Sequence, residues 1–384
     1  MQLSARPLRI ALVLTGLAAL GPAGIAPAGA DELPDQPTVS SLFRFFDDSK
    51  HVEVKSLMGD YATTIKGSTA LTLHVNNEHV TIPAISAPAG TQEAIDAITT
   101  ASRPISGNAF QDYVKVRNEV QGGLVNRGRE LDYYVSVEKD YLAQMLTAGY
   151  NRDYHDALLN LSFGTSYGWD AIKPLQDSDT NTGDQSKRTM HWNVVATQVL
   201  RPTTVLRAGL EYNIVHGLQH NPYRNVYAGG TNVPERVPDE RQRRDLFLKL
   251  NQYLSNRSSL KFNYRLYNDD WGVTSHELGA DLSQYITHGV IVRYDYRYYT
   301  QTSASFWAPE YTTINGINGY MTGDYRLGPL SSHLFGGTLS FDLAQLAAEH
   351  DLWKRFGMSV NYERYFNNNN YSANIVETAL DFRF

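Results

Sequence analysis

Along most of this chain, large apolar side chains alternate one for one with polar or charged ones, over stretches too long for an ordinary soluble strand. Leu206, Ala208, Leu210 and Tyr212 interleave with Arg207 and Glu211. Leu260, Phe262, Tyr264 and Leu266 interleave with Lys261, Asn263 and Arg265. Val290, Val292, Tyr294, Tyr296 and Tyr298 interleave with Arg293, Asp295 and Arg297. Phe356, Met358, Val360 and Tyr362 interleave with Ser359, Asn361 and Glu363. The last stretch does the same: Val376, Thr378, Leu380, Phe382 and Phe384 lie on one face, Glu377, Ala379, Asp381 and Arg383 on the other. A period of two is the signature of an extended strand with two chemically different faces.

The stretches run to roughly 9–13 residues, close to the ~9–11 that cross a bilayer at a tilt, whereas strands of soluble proteins have a mode near 5–6. Short turns are expected at Asn151–Tyr154, Arg201-Pro202, Ser255–Arg257 and Thr287–Gly289, and long polar loops at 170–186, 217–240 and 301–315. Alternation of short and long connections is what outer-membrane barrels show. The fold expected is all-β: a transmembrane antiparallel barrel. Seventeen stretches fit the pattern, among them 38–46, 51–60, 67–76 and 316–327. Single-chain bacterial barrels have even numbers, so sixteen strands are expected, with fourteen to eighteen open. The surplus stretch is sought among the first three or between 327 and 354. Residues 77–112, with Pro83, Pro88 and Pro104, keep no alternation and read as a long irregular insert. Such a loop could fold into the lumen or sit outside as a lid.

The amino terminus reads as a secretory signal over residues 1–30, leaving 31–384 as the barrel. Arg6 and Arg9 precede an apolar core from Ile10 to Leu20, and Ala28-Gly29-Ala30 forms a cleavage motif. Gly16, Gly21 and Pro22 interrupt that core before it reaches the ~20 apolar residues of a membrane helix. The chain has no cysteine, which excludes disulfides and covalent haem attachment. Its net charge of −6 disfavours nucleic acid as a partner. Yet 25 Tyr, 14 Phe and 5 Trp make a heavy aromatic load, which aromatic girdles at the two membrane interfaces would absorb. The expected location is the outer membrane. The expected partners are its lipid, the barrel-assembly machinery through the strand ending at Phe384, and small solutes or proteins.

Several phrases of the chain resemble a family of Gram-negative outer-membrane proteins catalogued only as a domain of unknown function. They are Asp96-Ala-Ile-Thr-Thr-Ala-Ser-Arg-Pro104, Glu138-Lys-Asp-Tyr141, Pro234-Glu-Arg-Val-Pro-Asp-Glu-Arg241, Tyr267-Asn-Asp-Asp-Trp-Gly272, Arg297-Tyr-Tyr-Thr-Gln-Thr302 and Asp324-Tyr-Arg-Leu-Gly328. The resemblance covers roughly 38–384. It implies an outer-membrane barrel and supplies no activity or catalytic residues.

Residues on the polar faces are the candidates for the lumen: Arg207, Glu211, Lys249, Lys261, Arg265, Arg293, Asp295, Arg297, Asp324, Glu363, Glu377 and Asp381. Their signs are mixed, whereas a strongly selective pore favours one sign at its constriction. Pairing across strands is therefore expected, around a weakly selective or largely occluded interior. The charged stretch 221–245 reads as a self-pairing network at the mouth rather than an anion site. Asp177, Asp179, Asn181 and Asp184 echo a calcium loop, but Gly183 and Arg188 occupy the wrong positions for one. His216 and His220 stand four apart, about 13 Å along a strand, too far to share one zinc ion. No G-x-S-x-G elbow or H-E-x-x-H motif occurs, so no enzyme and no cofactor are expected. The leading functional expectation is a porin-like channel or passive scaffold. The alternatives are an anchoring component for a surface or periplasmic complex and, third, a lipid-modifying enzyme.

Overall fold

The computed structural model describes residues 36–82, 113–175, 183–346 and 355–383. Sixteen strands close into one antiparallel barrel. In chain order the first nine are β1 (Thr38–Asp48), β2 (Glu53–Lys66), β3 (Thr69–Ile82), β4 (Tyr113–Asn126), β5 (Arg129–Val137), β6 (Tyr141–Tyr154), β7 (Leu159–Ile172), β8 (Gln185–Arg201) and β9 (Thr204–Gly217). A small hairpin, β10 (Asn225–Ala228) with β11 (Thr231–Pro234), stands outside the barrel. The wall resumes with β12 (Glu240–Leu254), β13 (Ser258–Asp269), β14 (Thr274–Thr287), β15 (Val290–Gln301), β16 (Leu330–Asp342), β17 (Phe356–Asn367) and β18 (Ser372–Arg383). The ring closes where β1 pairs with β18, in continuous register from Thr38 opposite Arg383 to Asp48 opposite Ala373. No barrel edge is left unpaired, the condition for a β-structure to sit in hydrocarbon, where an open N–H or C=O has no partner.

The alternation read from the sequence assigns the two faces. On one face Leu57, Val194, Leu210, Leu278, Tyr294 and Phe335 are each more than half exposed. On the other, Ser56, Asp132, Asn361, Glu363 and Glu377 are buried against their neighbours. In a closed ring the crowded face is the concave one, so polar groups line the interior and the apolar groups form an outer band. A band of that extent is untenable in water and apt in lipid. Aromatic side chains mark its two rims. On the long-loop side Tyr133 and Tyr167 pack on Trp169, Trp192 stacks on Tyr212 at 6.0 Å, and His333 lies between Tyr298 and Phe366. At the opposite rim Phe356 meets Phe382 at 4.7 Å, and Tyr150 and Tyr154 of β6 are exposed at the same end of the barrel. Two aromatic girdles about an apolar band are the mark of an outer-membrane barrel, and that is what this chain is.

The end of the barrel that bears Thr38 and Arg383 carries tight turns, which place it on the periplasmic side. The turn at Arg127-Gly128 holds both residues at positive φ (47° and 75°), the geometry of a two-residue hairpin whose twist matches the strands. A side chain at Gly128 would also strike the Asn151 carbonyl at 2.4 Å. The opposite end carries the long connections 218–239 and 302–329.

Four readings are corrected. The surplus stretch is 316–327, outside both regions where it was sought. Gly316, Asn318 and Gly319 take positive φ there, and Tyr325–Leu327 forms a 3-10 turn, so its apolar residues serve loop packing instead of the wall. Residues 77–82, expected to begin the insert, continue β3 instead, and the rest of the expected insert, 83–112, lies outside the described residues. Asn151–Tyr154 belongs to β6, and the turn falls at His155–Leu158. The loop expected to end at 315 extends to Pro329. The signal segment and Phe384 also lie outside the described residues.

Leu210 sits midway along β9 on the outer face, 61% exposed. Leu210→Arg is expected to destabilise the folded barrel by about 2–4 kcal/mol, the cost of a cation at the bilayer midplane. Urea titration in phospholipid vesicles measures it, and a change below about 0.5 kcal/mol would mean that Leu210 does not face lipid.

Candidate functional site

Two polar assemblies stand out: the inner wall and a cap mounted on the external rim. On the wall, strand register decides which charges meet. Arg265 points along β13 to Asp245 of β12 at 2.6 Å and to Glu211 of β9 at 3.8 Å. Glu211 also faces His191 of β8 at 3.8 Å. Arg297 lies 3.9 Å from Glu277. Across the closure, Arg44 of β1 binds Glu377 of β18 at 2.6 Å. Asn361 links Glu377 to Glu363 and accepts from Thr338, which in turn accepts from Arg293 at 2.8 Å. A second net on β3–β5 joins Arg117 to Glu78 at 3.0 Å and Glu119 to Asn76 and Tyr134. Lys115 and Glu138 form a buried pair at 3.1 Å.

Eleven of the twelve expected lumen residues lie on these inner-facing positions, as their alternation with the exposed apolar set requires. Asp324 does not. It caps the 3-10 turn in the 302–329 connection. The sequence reading missed Arg44, Lys115, Arg117, Asp245 and Glu277, although the period-two rule that found the others would have placed each on the inner face.

The cap is built from the connections 218–239 and 302–329, zipped together by backbone. Arg236 and Met321 exchange hydrogen bonds at 2.9 and 2.7 Å. Gly229 donates to the Tyr311 carbonyl at 3.0 Å. Val226, Ala228, Tyr311 and Met321 make a buried apolar core beneath the hairpin. A second core of Trp271, Val273, Ala304, Phe306 and Leu327 fixes the cap to the β13–β14 turn. Arg241 pairs with Asp269 and lies 4.3 Å over Trp271. On the far side Tyr223 donates to Asp140 and accepts from the Leu175 amide, tying the cap to two more rim connections. The phrases Glu138–Tyr141, Pro234–Arg241, Tyr267–Gly272, Arg297–Thr302 and Asp324–Gly328 all contribute to this rim, while Asp96–Pro104 falls outside the described residues.

At the centre of the cap Arg224 stands between Glu235 and Asp324, its Nη1 3.1 Å from an oxygen of each. Thr322 donates to Glu235 at 3.0 Å. Arg326 grips Asp324 at 2.7 Å. Burial pushes the Asp324 carboxyl up, but Arg326 and Arg224 outweigh it and hold the group well below the usual carboxylate range. Glu235 is raised, because burial exceeds the pull of its single Arg224. Burial, helped by Arg224, lowers His220. The stretch expected to self-pair at the mouth does so.

Neither metal reading gains support. Asp177, Asp179 and Asn181 lie outside the described residues, and Asp184 is exposed. His216 sits 3.7 Å from Glu240, while His220 belongs to the cap. Among the described residues no group of three His, Cys, Asp or Glu side chains converges on one point.

Closed wall, polar interior and aromatic girdles define the class, an outer-membrane β-barrel. Within it, the family described as protein of unknown function (DUF3570) matches residues 62–376, and the chain belongs to that family. No curated protein matches the sequence. Among solved structures, a bacterial polysaccharide outer membrane secretin superposes with a TM-score of 0.49 at 9% identity, covering 92% of this chain and 100% of the other. OpdK of Pseudomonas aeruginosa, solved with vanillate, gives 0.44 at 9% identity over 91% and 98%. The siderophore receptor PirA of Pseudomonas aeruginosa gives 0.44 at 10% identity over 88% of this chain, which spans 57% of that receptor.

Arg224→Met would leave Glu235 and Asp324 buried without their shared cation. Loss of one partner from such a pair costs about 3–5 kcal/mol, and it should fall on the cap alone. Limited proteolysis is expected to cut 218–239 and 302–329 at least tenfold faster, with the barrel's heat-modifiable migration unchanged; equal cleavage rates would show that Arg224 does not hold the cap. The pH response follows from the sign at Asp324. A depressed carboxyl contributes stability that is fully present above its unfolded value, about 3.9, and is lost as pH falls through the lower folded value. Amide exchange in the cap should therefore stay slow at pH 5 and accelerate only below about pH 4.

Proposed function

We propose that this barrel is a porin-like, weakly selective channel whose external entrance is governed by the cap. The observation that carries the reading is the exposure of charged side chains on the concave face. The Asp60 side chain is 54% exposed and that of Arg265 44%, although both belong to the inner wall. Charges so placed must be solvated by water inside the ring, since burial without full pairing costs several kcal/mol per ion. Both signs occur and most are paired across strands, so neither cations nor anions meet a single-sign ring.

The cap shapes access. It is a folded unit with two apolar cores and a buried ion triad, joined to several rim connections. It therefore acts as a fixed constriction, and solutes pass around it or wait for its local opening. The wall supports the reading of passive diffusion over that of a lipid-modifying enzyme. Most of the charged groups described on its inner face are engaged in ion pairs, such as Arg44–Glu377, Arg117–Glu78 and Arg265–Asp245.

Reconstitution into planar bilayers tests the proposal. Stepwise conductance is expected, with a reversal potential within about 20 mV of zero under a tenfold KCl gradient, where perfect selectivity gives about 59 mV. Arg224→Met should lengthen or enlarge the open steps. A folded, heat-modifiable barrel that conducts nothing, with or without that substitution, would overturn the channel reading and favour an anchoring scaffold.

A further inference from the structure

The inner wall treats one group of cations differently. Arg44, Lys115, Arg117, Lys187, Arg241, Arg265 and Arg297 each have a carboxylate within 4.0 Å. Arg207 and Lys249 form no ion pair among the described residues. They stand directly opposite each other on β9 and β12. Like charges in that position repel, which is why sheets avoid the arrangement. Lys261 adds a third cation on the next strand, one diagonal step away.

Carboxylates that could relieve this charge are occupied or distant. Glu211 lies four residues along β9, about 13 Å of strand, and is taken by Arg265 and His191. Asp281 stands opposite Lys261, and Glu277, which with Glu211 acts on Lys249 from a distance, lies 3.9 Å from Arg297. Neither Arg207 nor Lys249 therefore has a carboxylate of its own within 4.0 Å among the described residues. The Arg207 Nε is buried and has no hydrogen-bond partner. One same-face step along the strands lies Phe247, whose ring covers Gly209 so closely that a side chain there would strike it. The Arg207 guanidinium is 6.0 Å and the Lys249 ammonium 5.5 Å from the ring centre. Arg207 is three residues from the periplasmic start of β9, and Lys261 three from that of β13. The group thus lies near the periplasmic end of the wall, away from the cap.

We infer that Arg207, Lys249 and the Phe247 ring form a binding site for a small carboxylate with an apolar body, at the periplasmic end of the lumen. The guanidinium offers the planar fork that suits a carboxylate, the ammonium adds a second charge, and the ring supplies an apolar floor. A bound anion removes the repulsion across the strand pair, so occupancy stabilises the wall. Inside the channel reading, the site is a local step that favours organic anions. Occupancy itself requires no conductance, so the inference stands or falls separately.

The test uses the full detergent-folded barrel and sodium benzoate. Calorimetric titration at low ionic strength should give saturable binding, weakened at least tenfold in R207Q/K249Q and at least threefold in K249Q alone. Benzoate should raise the thermal midpoint of the parent protein and leave that of the double variant unmoved. Without benzoate, the double variant should melt at or above the parent's midpoint, because a repulsive pair has gone. Absence of saturable heat in the parent, or affinity within twofold in K249Q, would overturn the site. A barrel that binds benzoate but carries no current would remove the channel reading and leave the site intact.

Discussion

The hydrogen-bonded seam between β1 and β18 is the contact on which the rest depends. In hydrocarbon each open N–H or C=O costs several kcal/mol, so a sheet with free edges could not remain there. Once Thr38–Asp48 meets Ala373–Arg383 in register, every strand has two neighbours. Each side chain is then committed to lipid or to the interior. From that commitment follow the Leu, Phe and Tyr of the outer band and the ionised interior. A one-residue slip at the seam would exchange the two faces, placing Arg44 and Glu377 in lipid.

Interior and cap solve the problem of charge differently. On the wall, pairs such as Arg265–Asp245 are partly hydrated, so each contributes little to stability and mainly fixes side-chain positions. In the cap, Arg224, Glu235 and Asp324 are nearly dry, and removal of any one leaves its partners charged in a low-dielectric setting. The cap therefore behaves as a small folded unit mounted on a rim. Its hold depends on ion pairing as much as on the Trp271 and Met321 cores. The Arg207–Lys249 pair follows neither pattern, and its repulsion suits a ligand better than a structural role.

How much could be read from sequence depended on whether the deciding contact was local. Outer and inner faces were legible because the period of two is a local property: Leu210 and Glu211 declare their sides without reference to any partner. Strand ends were less so, since Asn77 to Thr81 of β3 extends the wall with mostly polar residues that read as loop. The stretch 316–327 misled because Met321 and Tyr320 resemble strand residues, while the surface that buries Met321 comes from the hairpin 225–234, far away in sequence. Asp324 was misplaced with it. Ion-pair partners were illegible for a related reason. Arg265 stands opposite Phe247, so its pairing with Asp245 is a diagonal that only the register reveals.

Site-directed spin labelling along β12 tests the central claim most directly, because the chain has no native cysteine and each labelled position is unique. With the barrel in lipid vesicles, nitroxides at positions 246, 248 and 250 should be relaxed strongly by oxygen, and those at 245, 247 and 249 by a water-soluble nickel complex. That two-residue alternation is what a single wall between lipid and an aqueous interior requires. Equal access of the nickel complex to both sets, or an absence of periodicity, would contradict the closed membrane barrel and every functional reading drawn from it.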